Sequence, residues 1–556
     1  MKTFILMAVL TIMISSCTNK DEMELKKIIS ETQNQVHPLL IRASNAYWNG
    51  TITGNPEEFA KYSEANIETS KIYSNKVVFN KLKEIRERDK VKDPILKRQL
   101  DILYNNYLSN QADTALLEEI IKKSTMLEQK YAEFRAKFRG IEISDNEVER
   151  VLQTSVDNTE LEEVWKAHKE IGPFVAYDVI EVVKLRNMLA RSLGYDNYHT
   201  MSLELSGQNP EDISALFDEL DSLTRDEFKR LKGEMNSLFS KKYSVPVEKL
   251  MPWHFQGRFF QESPKLYSVD LDKYYKGQNL EELTASFYSG IGLDVSDIMR
   301  SSDLYEKPGK NQHAYCIDID ASGDVRVLAN IADNESWMGT MLHEFGHGVY
   351  ALGHDDPINP YFLRNAAHAF TTEAVAMIFG RLSRNPEWML QNLGLSVDEK
   401  HLIEDDCYNS LKLQQLVFSR WVQVVYRFEK EMYSNPDQDL NSLWWNLVEK
   451  YQMLNKPFNR DMPDWATKIH IALYPCYYHN YQLGELLASQ MHYYIVDNIT
   501  KSGDYRNESY TGNKEVGKWM HENVFKVGMR YEWNEMIERS TGEKLTAKYF
   551  AKQFVD

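Results

Sequence analysis

The sequence predicts a mainly helical protein with a small antiparallel sheet lying beside one metal-binding helix. Three observations carry this. From about residue 25 to residue 250 apolar positions recur at helical spacing with charges between them. The stretch His313 to Ile331 alternates like a β-hairpin around Ala321-Ser322-Gly323-Asp324. Directly after it, Asn334 to Gly353 carries His343, Glu344 and His347 in H-E-x-x-H order.

Taken in order, the chain begins with Met1-Lys2 and an apolar run from Phe4 to Ile14, too short to span a bilayer comfortably. It ends in Ile14-Ser15-Ser16-Cys17, which resembles a bacterial lipobox. That resemblance implies a signal peptide over residues 1–16, a lipid on Cys17 and a polar linker over 17–24. The expected location is the cell envelope, anchored to the membrane through Cys17. Beyond Cys17 the cysteines are Cys316, Cys407 and Cys476, an odd number far apart, so no disulfide framework is expected. Excess acid, 82 Asp and Glu against 65 Lys and Arg, argues against a nucleic-acid partner.

The segments Ile95 to Leu108 and Leu116 to Phe138 read as amphipathic helices, and Asn209-Pro210-Glu211-Asp212 as the start of another. Breaks are expected at Gly50–Gly54, Gly140 and Gly194. No linker or internal repeat divides the chain. The expectation is a single domain over residues 25–556, its helical part ending near 250 and its catalytic part following. The character changes at Met251, where Pro252 to Gln261 is rich in aromatics.

In the H-E-x-x-H stretch, Asp333 and Asn334 are N-cap residues and Gly353 a plausible stop. On a helix, positions i and i+4 share a face, so His343 and His347 can grip one zinc ion while Glu344 faces the attacking water. A third ligand is needed. Glu373, in F-T-T-E-A-V-A-M, is a charge at the front of an apolar helix with little other reason to be there, although acids near helix N-termini are also ordinary dipole chemistry. His354 and His368 are the competing ligands. Three protein ligands leave a position for water and lower its pKa to roughly 7; Glu344 then acts as general base. A strand edge beside the metal suits main-chain binding of an extended peptide.

These motifs together resemble the peptidyl-dipeptidase A (angiotensin-converting enzyme-like) family of zinc metallopeptidases, over most of the chain. His313-Ala314 stands thirty residues before His343, matching that family's His-Ala pair on the edge strand. Glu373 falls at its third zinc ligand, in F-T-T-E-A where the family reads F-H-E-A. Lys468-Ile469-His470 matches a K-x-H element, and Tyr478-His479-Asn480-Tyr481 a Y-x-x-Y, with one extra residue between the two. The resemblance implies a two-lobed zincin fold with a deep cleft and one zinc ion per chain. It implies oligopeptide substrates from which C-terminal dipeptides are released. It nominates His470 and Tyr481 as oxyanion donors, and Lys468, Tyr478 and Gln261 as the grip on a substrate's C-terminal carboxylate. Two positions depart from the family. Met377 stands where an Asp orients a zinc histidine, and Asn480 where an Arg binds chloride. H-E-F-G-H also resembles the thimet oligopeptidase group, which makes oligoendopeptidase cleavage the second reading. A surface lipoprotein that binds peptides without cleaving them is the third.

Overall fold

The computed structural model describes residues 19–555 apart from residue 268, so Cys17 and the signal segment lie outside the described residues. The chain folds as expected into helices with two small antiparallel hairpins. The first helix, Lys20–Thr53, is capped by the Asn19 side chain and stopped at Gly54, whose φ of 70° is left-handed. Gly50 stays inside it. Further along, Asn209 caps the 34-residue helix Pro210–Tyr243, with proline at its first turn, where a missing N–H costs no intrahelical bond.

One reading is shortened. The helix expected to reach Phe138 ends at Glu133, and the chain turns into the hairpin Ala136–Phe138/Ile141–Ile143. Gly140, with φ 84°, supplies the turn. The break expected at Gly140 is this turn, which bends a strand pair rather than ending a helix.

The second hairpin pairs Tyr315–Asp318 with Val325–Leu328 in antiparallel register, Tyr315 opposite Leu328 and Asp318 opposite Val325. His313 and Ala314 therefore precede the ladder rather than lie within it. Val325 and Val327 are buried against the H-E-x-x-H helix, which spans Glu335–His354. Asn334 alone caps that helix, accepting from the Trp337 N–H at 2.9 Å. Gly353 does not stop it. A Cβ there would stand 2.3 Å from that of Phe525, so this glycine serves packing, and the helix runs on to His354.

Close approach recurs along this helix. A Cβ on Gly339 would meet Ser383 Oγ at 2.9 Å, and one on Gly346 would meet the Ala376 Cα at 3.0 Å. The seven-residue spacing of Gly339, Gly346 and Gly353 puts them on one face. At Gly339 and Gly346 the helix Ala369–Gly380 lies almost backbone to backbone, while Gly353 faces Phe525. One apolar core runs from Leu127 to Phe554; a smaller one joins Leu25, Leu82 and Leu100 to Phe362. The first helix also reaches the hairpin, where Trp48 packs edge-on to Tyr315 with ring centres 6.2 Å apart.

Candidate metal centre and substrate cleft

His343 and His347 lie one turn apart on the Glu335–His354 helix, and Glu373 comes from the second turn of the Ala369–Gly380 helix. The two Nε2 atoms are 3.2 Å apart. Glu373 Oε2 stands 3.7 Å from His343 Nε2 and 3.8 Å from His347 Nε2. A tetrahedral ion with bonds of about 2.0–2.1 Å sets its ligands roughly 3.3–3.4 Å apart, so this triangle is already near zinc dimensions.

The electrostatics agree. Burial pushes His343 down to about 4 and His347 to about 3, so both rings are neutral, as metal binding requires. Burial pushes Glu373 up to about 7. Glu344, 8% exposed, is raised to about 8 by burial and then by the Glu373 charge. Among the described residues no lysine or arginine pairs with Glu344 or Glu373, and two carboxyls crowded together are an arrangement that a dication stabilises.

The orienting partner that Met377 cannot supply comes from elsewhere. His347 Nδ1 is 2.8 Å from Thr372 Oγ1. The Ala376 backbone carbonyl accepts a hydrogen bond from His343. Both acceptors belong to the helix that carries Glu373, and neither was singled out in the sequence. His354 and His368 are not in the triangle. His368 caps the Glu373 helix, its Nδ1 accepting from the Phe370 N–H at 3.2 Å. His354 ends the other helix, two turns beyond His347.

A row of side chains leads away from Glu373. Tyr477 and Tyr481 both feel its charge. The Tyr481 ring is 5.3 Å from that of Tyr478, and the Tyr478 ring 5.1 Å from that of His470. Beyond these, Lys468 Nζ donates to Gln261 Oε1 at 2.6 Å. It also sits 5.2 Å from the Phe259 ring, 5.6 Å from Trp421 and 5.4 Å from Tyr478. Lys468, Gln261 and Tyr478, spread over more than two hundred residues, thus meet at one place. Trp421 and Phe259, unremarked in the sequence, complete an aromatic box that favours a cation. Trp421 Nε1 donates to the Tyr478 hydroxyl at 3.0 Å and fixes it. Asn480 faces a neutral partner, accepting from Gln208 Nε2 at 2.7 Å.

A cavity of about 370 Å³ opens on His343 and Glu344 and continues past Ser336 and Arg384 into one of about 820 Å³. His313 is exposed before the hairpin, with Ala314 half-buried beside it.

The profile of the family described as Angiotensin-converting enzyme matches residues 19–555. The chain belongs to the angiotensin-converting enzyme family. Peptidyl-dipeptidase hydrolysis by a zinc metallopeptidase is the chemistry that goes with this family, and the helical fold agrees with it. Among curated relatives, the angiotensin-converting enzyme of Theromyzon tessulatum is 25% identical over 73% of this chain and 70% of its own length. That of Mesocricetus auratus is 23% identical over 71% of this chain, and the match spans 32% of the hamster protein. An angiotensin-converting enzyme-like protein of Mus musculus is 22% identical over 73% of this chain and 59% of its own length.

Proposed function

We propose that this chain releases dipeptides from the C-termini of oligopeptides, with His343, His347 and Glu373 holding one zinc ion. The observation that carries the reading is the 3.2–3.8 Å triangle of donor atoms on two closely packed helices. Zinc, when bound there, supplies Lewis-acid polarisation of a carbonyl and activation of water.

Glu344 takes the proton of the attacking water and returns it to the leaving amine. Burial and then the Glu373 charge raise its carboxyl, the direction that favours handing the proton on to the leaving amine. His470 and Tyr481 donate to the oxyanion, an interaction worth about 3–4 kcal/mol where one such donor has been removed in other enzymes. Burial pushes His470 down to about 4, so it donates as a neutral imidazole N–H. The backbone at His313-Ala314 receives the extended substrate main chain. Lys468, Tyr478 and Gln261 hold the terminal carboxylate, and a fixed anchor beyond the metal limits the product to a short C-terminal piece.

The anchor at Cys17 belongs to the same proposal. The apolar run ending in Ser15-Ser16-Cys17 supports an envelope enzyme tethered by lipid, and no described helix is long and apolar enough to cross a membrane. Residues 25–556 are taken as one catalytic domain.

Matched free-acid and amidated peptides, digested and sized by mass spectrometry, test the cleavage mode. Dipeptides from the free acid alone are expected. Equal internal cleavage of both would replace the reading with an oligoendopeptidase, and no cleavage of either with a peptide-binding lipoprotein.

A further inference from the structure

A second cluster of ligand-type side chains lies at the far end of the zinc-ligand helix. His354 is the last residue of that helix and Asp355 its C-cap; Asp318 closes the first strand of the neighbouring hairpin. One donor atom from each lies within 4.8 Å of the others, about the distance across a cation with bonds of roughly 2.1–2.4 Å. The cluster shares no residue with the His343, His347 and Glu373 set. Seven residues of helix, roughly 10 Å, separate His347 from His354.

The outer oxygens are fixed by backbone. The Gly323 N–H donates to Asp355 Oδ2 at 2.8 Å, and the Asp320 and Ala321 N–H groups donate to Asp318 Oδ1 at 3.2 and 2.8 Å. The inner atoms are different. His354 and Asp355 are 6% and 5% exposed, and His354 Nδ1 and Asp355 Oδ1 are buried without a hydrogen-bond partner. They stand 3.3 Å from each other. Among the described residues no lysine or arginine pairs with Asp318 or Asp355. Nearby Arg364 gives Nη1 to the Ala321 carbonyl at 3.2 Å instead, and Arg326 gives its guanidinium to Asp324. Two carboxyls and an imidazole therefore converge in a buried place with no lysine or arginine to offset them, a costly arrangement. The C-terminal end of the helix adds further negative potential there.

We propose that Asp318, His354 and Asp355 form a second divalent-cation site, which pins the hairpin to the end of the zinc-ligand helix. One imidazole with two carboxylates suits zinc or manganese better than calcium, which takes six to eight oxygens. The role is structural: the Asp318 hairpin packs on the H-E-x-x-H helix, and the cation joins them at the end away from His343 and Glu344.

The test is metal content of the full chain saturated with Zn²⁺ or Mn²⁺, desalted, and measured by mass spectrometry. Wild type is expected to retain two equivalents, and Asp318→Asn and Asp355→Asn one each. A His343→Ala, His347→Ala double variant is expected to keep one. In that background the added cation should slow amide exchange across residues 318–324. The double variant keeps the test decisive if the aspartate variants do not fold. One equivalent in wild type, none in the double variant, or equal content in wild type and Asp355→Asn would each overturn the site. In those cases the His354–Asp355 contact and the backbone hydrogen bonds to the two aspartates hold the cluster without metal.

Discussion

Thr372 Oγ1 lies 2.8 Å from His347 Nδ1, one residue before Glu373. A single helix turn thus carries the third candidate ligand and the group that orients the second. Replacing an orienting partner costs metal affinity about 10–100-fold in comparable sites. Thr372→Val should weaken zinc retention against a competing chelator by that order, with the fold intact by circular dichroism. Unchanged affinity would mean the hydroxyl merely fills space.

Glu344→Gln preserves the size of the side chain and removes its proton acceptor. It should hold zinc as wild type does and lose nearly all hydrolysis. Retained turnover in a zinc-loaded variant would remove Glu344 from the mechanism.

The carboxylate anchor predicts a difference between substrates. Lys468→Ala should cost free-acid peptides roughly ten- to a hundredfold in kcat/KM, the worth of a charge-assisted hydrogen bond. Amidated peptides, which lack the charge, should lose little. If both fall equally, Lys468 is structural.

A pH profile examines the same residue without mutation. Burial, and then Arg258, push Lys468 down to about 8, so its charge is complete below that pH and lost above it. The preference of kcat/KM for free acid over amide should fade as pH rises through about 8. Burial pushes Tyr478 up to about 12, so it stays neutral throughout that range. A preference flat to pH 10 would place the anchor elsewhere.

Cys17→Ser should move the protein from the membrane fraction to the soluble one, because the lipid is the only hold proposed. A wild type that is already soluble would refute the lipobox reading.

Much of the candidate metal triangle was legible because its information is local. His343 and His347 need only helical spacing, and Glu373 stood out as a charge in an apolar run. What could not be read depends on how helices cross. Thr372 and the Ala376 carbonyl become orienting groups only once two glycine-lined backbones meet. Phe259 and Trp421 become a box only after segments more than a hundred and fifty residues apart converge on Lys468. Gly353 misleads for the same reason: a glycine that terminates a helix and one that admits Phe525 look alike in a sequence. His354 had the right chemistry for a ligand but lies at the wrong end of the helix for the first site.

The close approach at Gly339 and Gly346 bears on how tightly metal can be kept. Two donors ride on one helix and the third on its neighbour, so any fluctuation that parts the helices also takes the site apart. Release of a metal held there would be gated by interhelical breathing, and free metal at a hundred times its dissociation constant would deepen the closed state by about 2.7 kcal/mol. A methyl group on Gly346, facing the Ala376 backbone at 3.0 Å, would act as a spacer. It would shorten metal residence time without touching a ligand.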